Sequence, residues 1–263
     1  MQPLDRLDPA RLRALRGVAF DIDDTLTDGG RLGAPAFEAL WHLAGAGLAL
    51  LALTGRPLGW ADAFAATWPV LGVVGENGAG WSYRHGGALV TGYRDPAPVR
   101  ESQQRTLRRI AAKVEQRLPG VRTASDQAAR RCDLAFDVGE ATRQPPAVVR
   151  ELAALIEGDG ARATVSSVHC HAVPGDWTKA SGACGALAET LGLSPKDAGD
   201  TFLFVGDSGN DAAAFAFFRT TVGVANVQDH LDALPTPPAF VTASPRGQGF
   251  VELAGRILQA RRG

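Results

Sequence analysis

Apolar and polar positions alternate along this chain in two rhythms. VAFDID (18–23) and LALLALTG (48–55) are short, nearly continuous apolar runs, and LGVVGENGAG (71–80) is a third that runs into a glycine-rich turn. Between them, APAFEALWHLAGAG (34–47) and ADAFAATW (61–68) space their apolar residues at helical intervals. Strand-length runs that are apolar throughout suit strands buried on both faces, and their alternation with helices argues a parallel sheet covered on both sides. The rhythm changes near residue 82. WSYR and ALVTGYR flank His85-Gly86-Gly87 and read as a hairpin. Leu107, Ile110, Ala111, Val114 and Leu118 form one stripe of a helix near 98–118, which Pro119-Gly120 ends. DLAFDVG (133–139) reads as a strand, PPAVVRELAALIEG (145–158) as a helix with proline in its first turn, and ATVSSVHCHAV (163–173) as one strand or more. After Pro174-Gly175 the first rhythm returns. It predicts helices over 178–192, 211–218 and 249–260, and strands over 201–207, 220–226 and 239–244. The pattern predicts an α/β core over 1–81 and 174–263, interrupted by an α+β module at 82–173.

Composition narrows the classes of function. The chain has 263 residues, with Lys+Arg 27 against Asp+Glu 28 and a net charge of -1. A dedicated nucleic-acid protein would carry a basic excess, so no nucleic-acid partner is expected. Cys132, Cys170 and Cys184 are odd in number and far apart, which fits reduced thiols better than a disulfide framework or structural zinc. The N-terminal stretch has arginines and acids but no apolar run of signal length, and no segment approaches the roughly 20 apolar residues of a membrane span. The expected location is cytoplasmic, with no membrane partner.

Candidate chemistry gathers where strands end. The first strand closes on Asp21-Ile22-Asp23-Asp24-Thr25, and strand alternation puts Asp21 and Asp23 on one side. Paired carboxylates at a strand tip need a cation, a shared proton or solvent. The second strand ends in Thr54-Gly55-Arg56, where a hydroxyl and glycine-exposed N–H groups suit a phosphate oxygen. Lys179 opens a helix against the preference of the helix dipole, which hints at an anion. TFLFVG ends in Asp207-Ser208-Gly209-Asn210-Asp211. A trypsin-like reading of Gly-Asp-Ser-Gly fails on the strand–helix context. In open α/β sheets such tips face one crevice. Carboxylates, a hydroxyl and an ammonium collected there ask for Mg²⁺, which takes carboxylate oxygens and leaves room for substrate phosphate. A carboxylate attacking a phosphate dianion meets about 4 kcal/mol of repulsion per charge pair at 4 Å and an effective dielectric of 20, which a cation and Lys179 would offset.

Asp21-Ile-Asp-Asp-Thr-Leu-Thr, Leu53-Thr-Gly-Arg-Pro, Lys179 and Gly206-Asp-Ser-Gly-Asn-Asp resemble, in order and context, the four motifs of the haloacid dehalogenase superfamily. The position of the insert, with Glu76-Asn77-Gly78-Ala79, Gly223-Val-Ala-Asn226 and Gly247-Gln-Gly-Phe250, is similar to the Cof-like subclass IIB phosphatases. The resemblance implies a Rossmann-like core with an inserted α+β cap that selects the substrate. It implies a Mg²⁺-dependent phosphatase acting on a small phosphorylated metabolite, a sugar phosphate above all, through an aspartyl-phosphate. Asp21 would be nucleophile and metal ligand. Asp23 would be the general acid/base and would bind the metal through its backbone carbonyl. Thr54, Gly55, Lys179 and Asn210 would hold the phosphoryl group, Asp207 would be the third protein ligand, and Asp211, with Asn210, would support the metal or its waters. Asp24 stands where the subclass most often has glycine.

Within the insert, Arg130 and Arg131 are candidates for a carboxylate or second phosphate. His169 and His171 share one side of a strand and suit substrate contact or cap packing better than zinc. Trp177, beside Lys179, lines the pocket or packs. Two other readings compete with the phosphatase: a phosphomutase of the phosphomannomutase type, and a phospho-acceptor binding module, which would be about half this length and uncapped. The partner expected is a small phosphate ester, with the chain a monomer or homodimer.

Overall fold

The computed structural model describes residues 1–166 and 168–262. Nine strands form one sheet in the order Gln2–Pro3, Phe240–Val241, Thr220–Gly223, Phe202–Gly206, Gly17–Asp21, Ala49–Leu53, Gly72–Gly75, Gly80–His85 and Ala88–Tyr93. The first seven are parallel to one another, and the last two are antiparallel at one edge. Neighbours along a strand face opposite layers. Phe20 packs with Leu40, Leu43 and Phe250, from the helices Ala34–Gly45 and Arg246–Arg262. Ala19 packs with Leu187, Phe215 and Phe218, on the side of the helices Lys179–Leu191 and Ala212–Phe217. Both faces are therefore covered, which is why these strands read as continuous apolar runs.

The chain leaves the central strand Gly17–Asp21 toward Ala49–Leu53 on one side and returns beside it as Phe202–Gly206 on the other. That reversal opens a crevice at the carboxyl ends of the strands. Among the described residues, no helix is long and apolar enough to cross a membrane.

The insert has its own three-stranded antiparallel sheet, Leu134–Asp137, His169–Val173 and Arg162–Val165, with His169–Val173 in the middle. The helices Ala97–Arg117 and Pro146–Gly158 pack on it through Leu107, Ile110, Val114, Leu152 and Ile156, against Phe136 and Cys170. The segment 163–173 is thus two strands with a reversal between them, and Ser167 lies outside the described residues.

The hairpin near 82–93 corrects the boundary read from the sequence. It pairs with Gly72–Gly75 and extends the core sheet, so it is not the start of the insert. Trp81 Nε1 and Tyr83 Oη donate to Glu189 at 2.5 and 3.0 Å, and Ser82 Oγ donates to Asp62 at 2.5 Å, which fastens both faces of the hairpin to core helices. Two antiparallel strands joined by a tight turn read in sequence as a unit of their own, whichever sheet they join. We place the junctions near 94–96 and 174.

Candidate active site

Asp21 ends the central strand and is buried. Lys179 is buried on the first turn of its helix, where the Thr178–Ser181 capping box fixes the chain direction. Its Nζ donates to Asp21 Oδ1 at 2.5 Å, Asp211 Oδ1 at 2.7 Å and Asn210 Oδ1 at 3.2 Å. Burial alone would lower the Lys179 ammonium, but Asp21 and Asp211 hold it above its ordinary range. Those two carboxylates explain a lysine at a helix N-terminus, where the dipole opposes it.

Asp207 follows the neighbouring strand. Its Oδ1 accepts from Thr25 Oγ1 at 3.2 Å and its Oδ2 from Asn226 Nδ2 at 3.0 Å. Asp211 Oδ2 accepts the Asp207 and Ser208 N–H groups, so one of its oxygens shapes the loop while the other meets Lys179. Asp21, Asp207 and Asp211 each offer a carboxylate oxygen within 4.8 Å of the others. Burial, opposed by Lys179, pushes Asp21 up to about 8. Burial, and then Asp21 and Asp211, hold Asp207 well above the usual carboxylate range. Three clustered acids against one ammonium leave a charge excess that a divalent cation matches, and an all-oxygen donor set suits Mg²⁺.

The Asp23 carboxylate is outside this cluster. Arg56 takes it, with Nε 3.0 Å from each oxygen and Nη2 2.8 Å from Oδ1. Arg56 Nη1 also reaches Glu140 of the insert at 2.8 Å and Asp126 at 3.5 Å. Burial would lower the guanidinium, but Asp23 and Glu140 hold it above its ordinary range.

Thr54 is buried at the next strand tip. Its Oγ1 accepts the Arg56 N–H at 2.9 Å, which leaves the hydroxyl proton free to donate. The Gly55 N–H has no partner among the described residues. Asn210 Nδ2 donates to Asn77 Oδ1 at 3.2 Å, while the buried Asn77 Nδ2 has no partner. Glu76, Asn77 and Gly78 all have positive φ, 48°, 56° and 111°, in the turn that carries Asn77 to the site. Gly78 is obligatory there, because a Cβ would stand 2.0 Å from Thr178 O.

The crevice closes on a small cavity lined by Asp21, Asp23, Gly55, Asn210, His169 and His171. Beside it a cleft of about 650 Å³ runs from Asp207 and Asn226 out between core and insert. Asp24 and Arg246 form its core rim, with Oδ1 and Nε 3.3 Å apart. Asp24 has φ 55°, the left-handed conformation that favours glycine and that aspartate tolerates better than most residues. Its Oδ1 accepts the Gly29 N–H at 3.1 Å and its carbonyl accepts from Asn226.

A family model described as sucrose-6F-phosphate phosphohydrolase matches residues 16–252. The chain belongs to that family. It is a phosphatase of the haloacid dehalogenase superfamily, as its motifs implied. Among solved structures, a Thermoplasma acidophilum protein is similar at 21% identity and TM-score 0.71, over 92% of this chain and 98% of that one. The sucrose-phosphatase of Synechocystis, solved with sucrose and phosphate, is 16% identical with TM-score 0.63 over 92% and 98%. The C-terminal domain of Candida albicans trehalose-6-phosphate phosphatase is 14% identical with TM-score 0.71 over 98% of both chains. Identities this low show a shared fold. The comparison with curated proteins returned no significant match.

Several residues of this phosphohydrolase carry more than the sequence reading assigned them. Arg56, Asn77 and Asn226 stood inside quoted motifs without a role. Glu76 clasps the insert: Oε1 accepts the N–H groups of Leu58 and Arg131 at 2.9 and 2.8 Å, and Oε2 those of Cys132 and Asp133 at 2.5 and 2.9 Å. Arg130 is not poised for a substrate anion. It is buried between Asp126 and Asp133 and donates to Gly55 O at 2.9 Å. Arg131 pairs with Asp62 of the core. Trp177 packs, fully buried, with Nε1 donating to Glu76 O at 3.2 Å.

Proposed function

We propose that this chain is a Mg²⁺-dependent phosphomonoesterase that cleaves a small phosphorylated metabolite, a sugar phosphate, through an aspartyl-phosphate. The observation that carries the reading is the buried Asp21–Lys179 contact of 2.5 Å, beside two further carboxylates at the reversal of the sheet. Asp21, Asp207 and Asp211, with the Asp23 backbone carbonyl, would hold the metal; when bound, Mg²⁺ supplies positive charge against the phosphoryl oxygens. Lys179, the Thr54 hydroxyl and the Gly55 N–H orient those oxygens, with Asn210 beside them. The free oxygen of Asp21 attacks phosphorus, and the bond to the leaving oxygen breaks. Asp23 gives that oxygen a proton. The same carboxylate then takes a proton from water, the water oxygen bonds to phosphorus, and the phosphorus–Asp21 bond breaks to release phosphate. Arg56, which also meets Glu140 and Asp126, orients the Asp23 carboxylate for these transfers.

The family description and the sugar-phosphate phosphatases of like fold support a sugar phosphate as substrate. A phosphate-release screen over sugar phosphates, phosphoglycolate, phosphoglycerates and nucleotides, with Asp21→Asn as control, tests both parts. Preferred release from a sugar phosphate, abolished in the variant, is expected. Full activity in Asp21→Asn overturns the mechanism, and preference for a nucleotide overturns the substrate class.

A further inference from the structure

The middle strand of the insert, His169–Val173, turns two buried histidines toward the crevice. His169 Nε2 meets Glu140 at 3.2 Å. His171 is set differently. Its Nδ1 lies 2.9 Å from Asp133 Oδ2. Asp133 is buried. Burial would raise its carboxyl, but Arg130 and His171 hold it below the usual range, so it stays an anion that can only accept. The imidazole proton therefore sits on Nδ1, and Nε2 is the bare nitrogen. Burial also holds the ring below its ordinary pKa, which keeps it neutral.

That bare nitrogen is aimed at the phosphate loop. It stands 3.3 Å from the point a Cβ on Gly55 would occupy, beside the Asn77 amide. The groups around it sort by chemistry. The Gly55 N–H, the unpartnered Asn77 Nδ2 and Lys179 Nζ are donors and suit phosphoryl oxygens. An acceptor nitrogen repels a phosphoryl oxygen and takes an O–H. The leaving alcohol departs in line, away from the nucleophile. Asp21 lines the cavity from the core and His171 lines it from the insert, so His171 faces what enters between the two.

We propose that His171, oriented by Asp133, determines specificity: its Nε2 accepts a hydrogen bond from a hydroxyl of the leaving alcohol close to the ester oxygen, which selects phosphate esters of polyhydroxylated compounds. The inference rests on the phosphatase reading above and deepens it.

The test compares kcat/KM on the best sugar phosphate of the screen with kcat/KM on p-nitrophenyl phosphate, whose leaving group has no further hydroxyl. His171→Leu lowers this ratio about tenfold, and His171→Gln, whose amide oxygen can accept, lowers it less. A ratio that does not move in either variant overturns the proposal. A second measurement needs no variant: at least one monodeoxy analogue of that sugar phosphate is cleaved about tenfold less well by the wild type. If every analogue is cleaved like the parent, the proposal is wrong. Wild type that cleaves p-nitrophenyl phosphate but no sugar phosphate also overturns it, and leaves the phosphatase standing. Wild type that cleaves neither with Mg²⁺ present overturns the phosphatase reading itself.

Discussion

Arg56 holds both carboxylate oxygens of Asp23 and, through Nη1, Glu140 of the insert. One guanidinium thereby links the proposed acid/base to the module above it. The contact needs a planar fork, which lysine lacks. Arg56→Lys is expected to lower kcat on p-nitrophenyl phosphate by roughly tenfold. Arg56→Ala, which leaves Asp23 and Glu140 without their shared cation, costs about 3–5 kcal/mol of stability in urea unfolding, the usual effect of removing one partner of a buried ion pair. Wild-type kcat in both variants means that the pairing does not orient Asp23.

The acid cluster makes a prediction that does not depend on turnover. An ion that binds only the folded chain stabilises it by about 2.7 kcal/mol at a hundredfold excess over its Kd. Mg²⁺ should therefore raise the Tm of the wild type, and chelation should reverse the rise. Asp207→Ala removes one of the three carboxylates and should abolish the response. An equal Mg²⁺ shift in that variant places the ion elsewhere.

Three strand tips and one helix start were legible in the sequence because local patterns place them: three apolar runs stop at Asp21, Thr54 and Asp207, and Lys179 opens a helix. Asp21 lies against Lys179 and within reach of Asp207 and Asp211. The partners of Glu76, Arg56 and His171 were hidden, because they lie 18 to 84 positions away and no periodicity links them. The hairpin was misassigned for a related reason. A hairpin is local in sequence, and only the tertiary pairing with Gly72–Gly75 says which sheet it joins. Asp24 was noticed as a departure from glycine, but its positive φ and its bond to Arg246 appear only in three dimensions.

Glu76 is the hinge point between core and insert. Its carboxylate takes four backbone N–H groups, one from Leu58 in the core and three from residues 131–133. Burial, and then Asp133, push its carboxyl up to about 7, so the comparison belongs at pH 8, where it is ionised. Glu76→Gln replaces one accepting oxygen by an amide donor and strands two N–H groups, each worth about 1–3 kcal/mol when buried without a partner. Unfolding free energy should fall by roughly 2–5 kcal/mol. A change below about 0.5 kcal/mol, the range of ordinary surface substitutions, shows that the clasp adds no stability.

The two histidines of the insert give the pH dependence. Burial, first of all causes, lowers the pKa of both His169 and His171 below the ordinary value of 6.5 that applies in the unfolded chain. For His171 the Asp133 carboxylate opposes that shift without reversing it, and for His169 Arg130 adds to it. The sign follows from linkage. A depressed pKa means that the unfolded chain binds protons first, so the folded state has its full stability above 6.5 and loses it as pH falls from there toward the folded values. The stability that the two rings contribute is therefore lost between pH 7.5 and 5. The raised carboxyls of Asp21, Asp207 and Glu76 work in the opposite sense over this range, and they are common to the wild type and to a variant of His171, so the comparison between the two isolates the ring. His171→Gln removes one titrating ring, so the Tm difference between wild type and variant should shift in the variant's favour as pH falls over that interval, whatever its absolute stability at pH 7.5. Parallel Tm curves for the two proteins would show that His171 is not held neutral by burial.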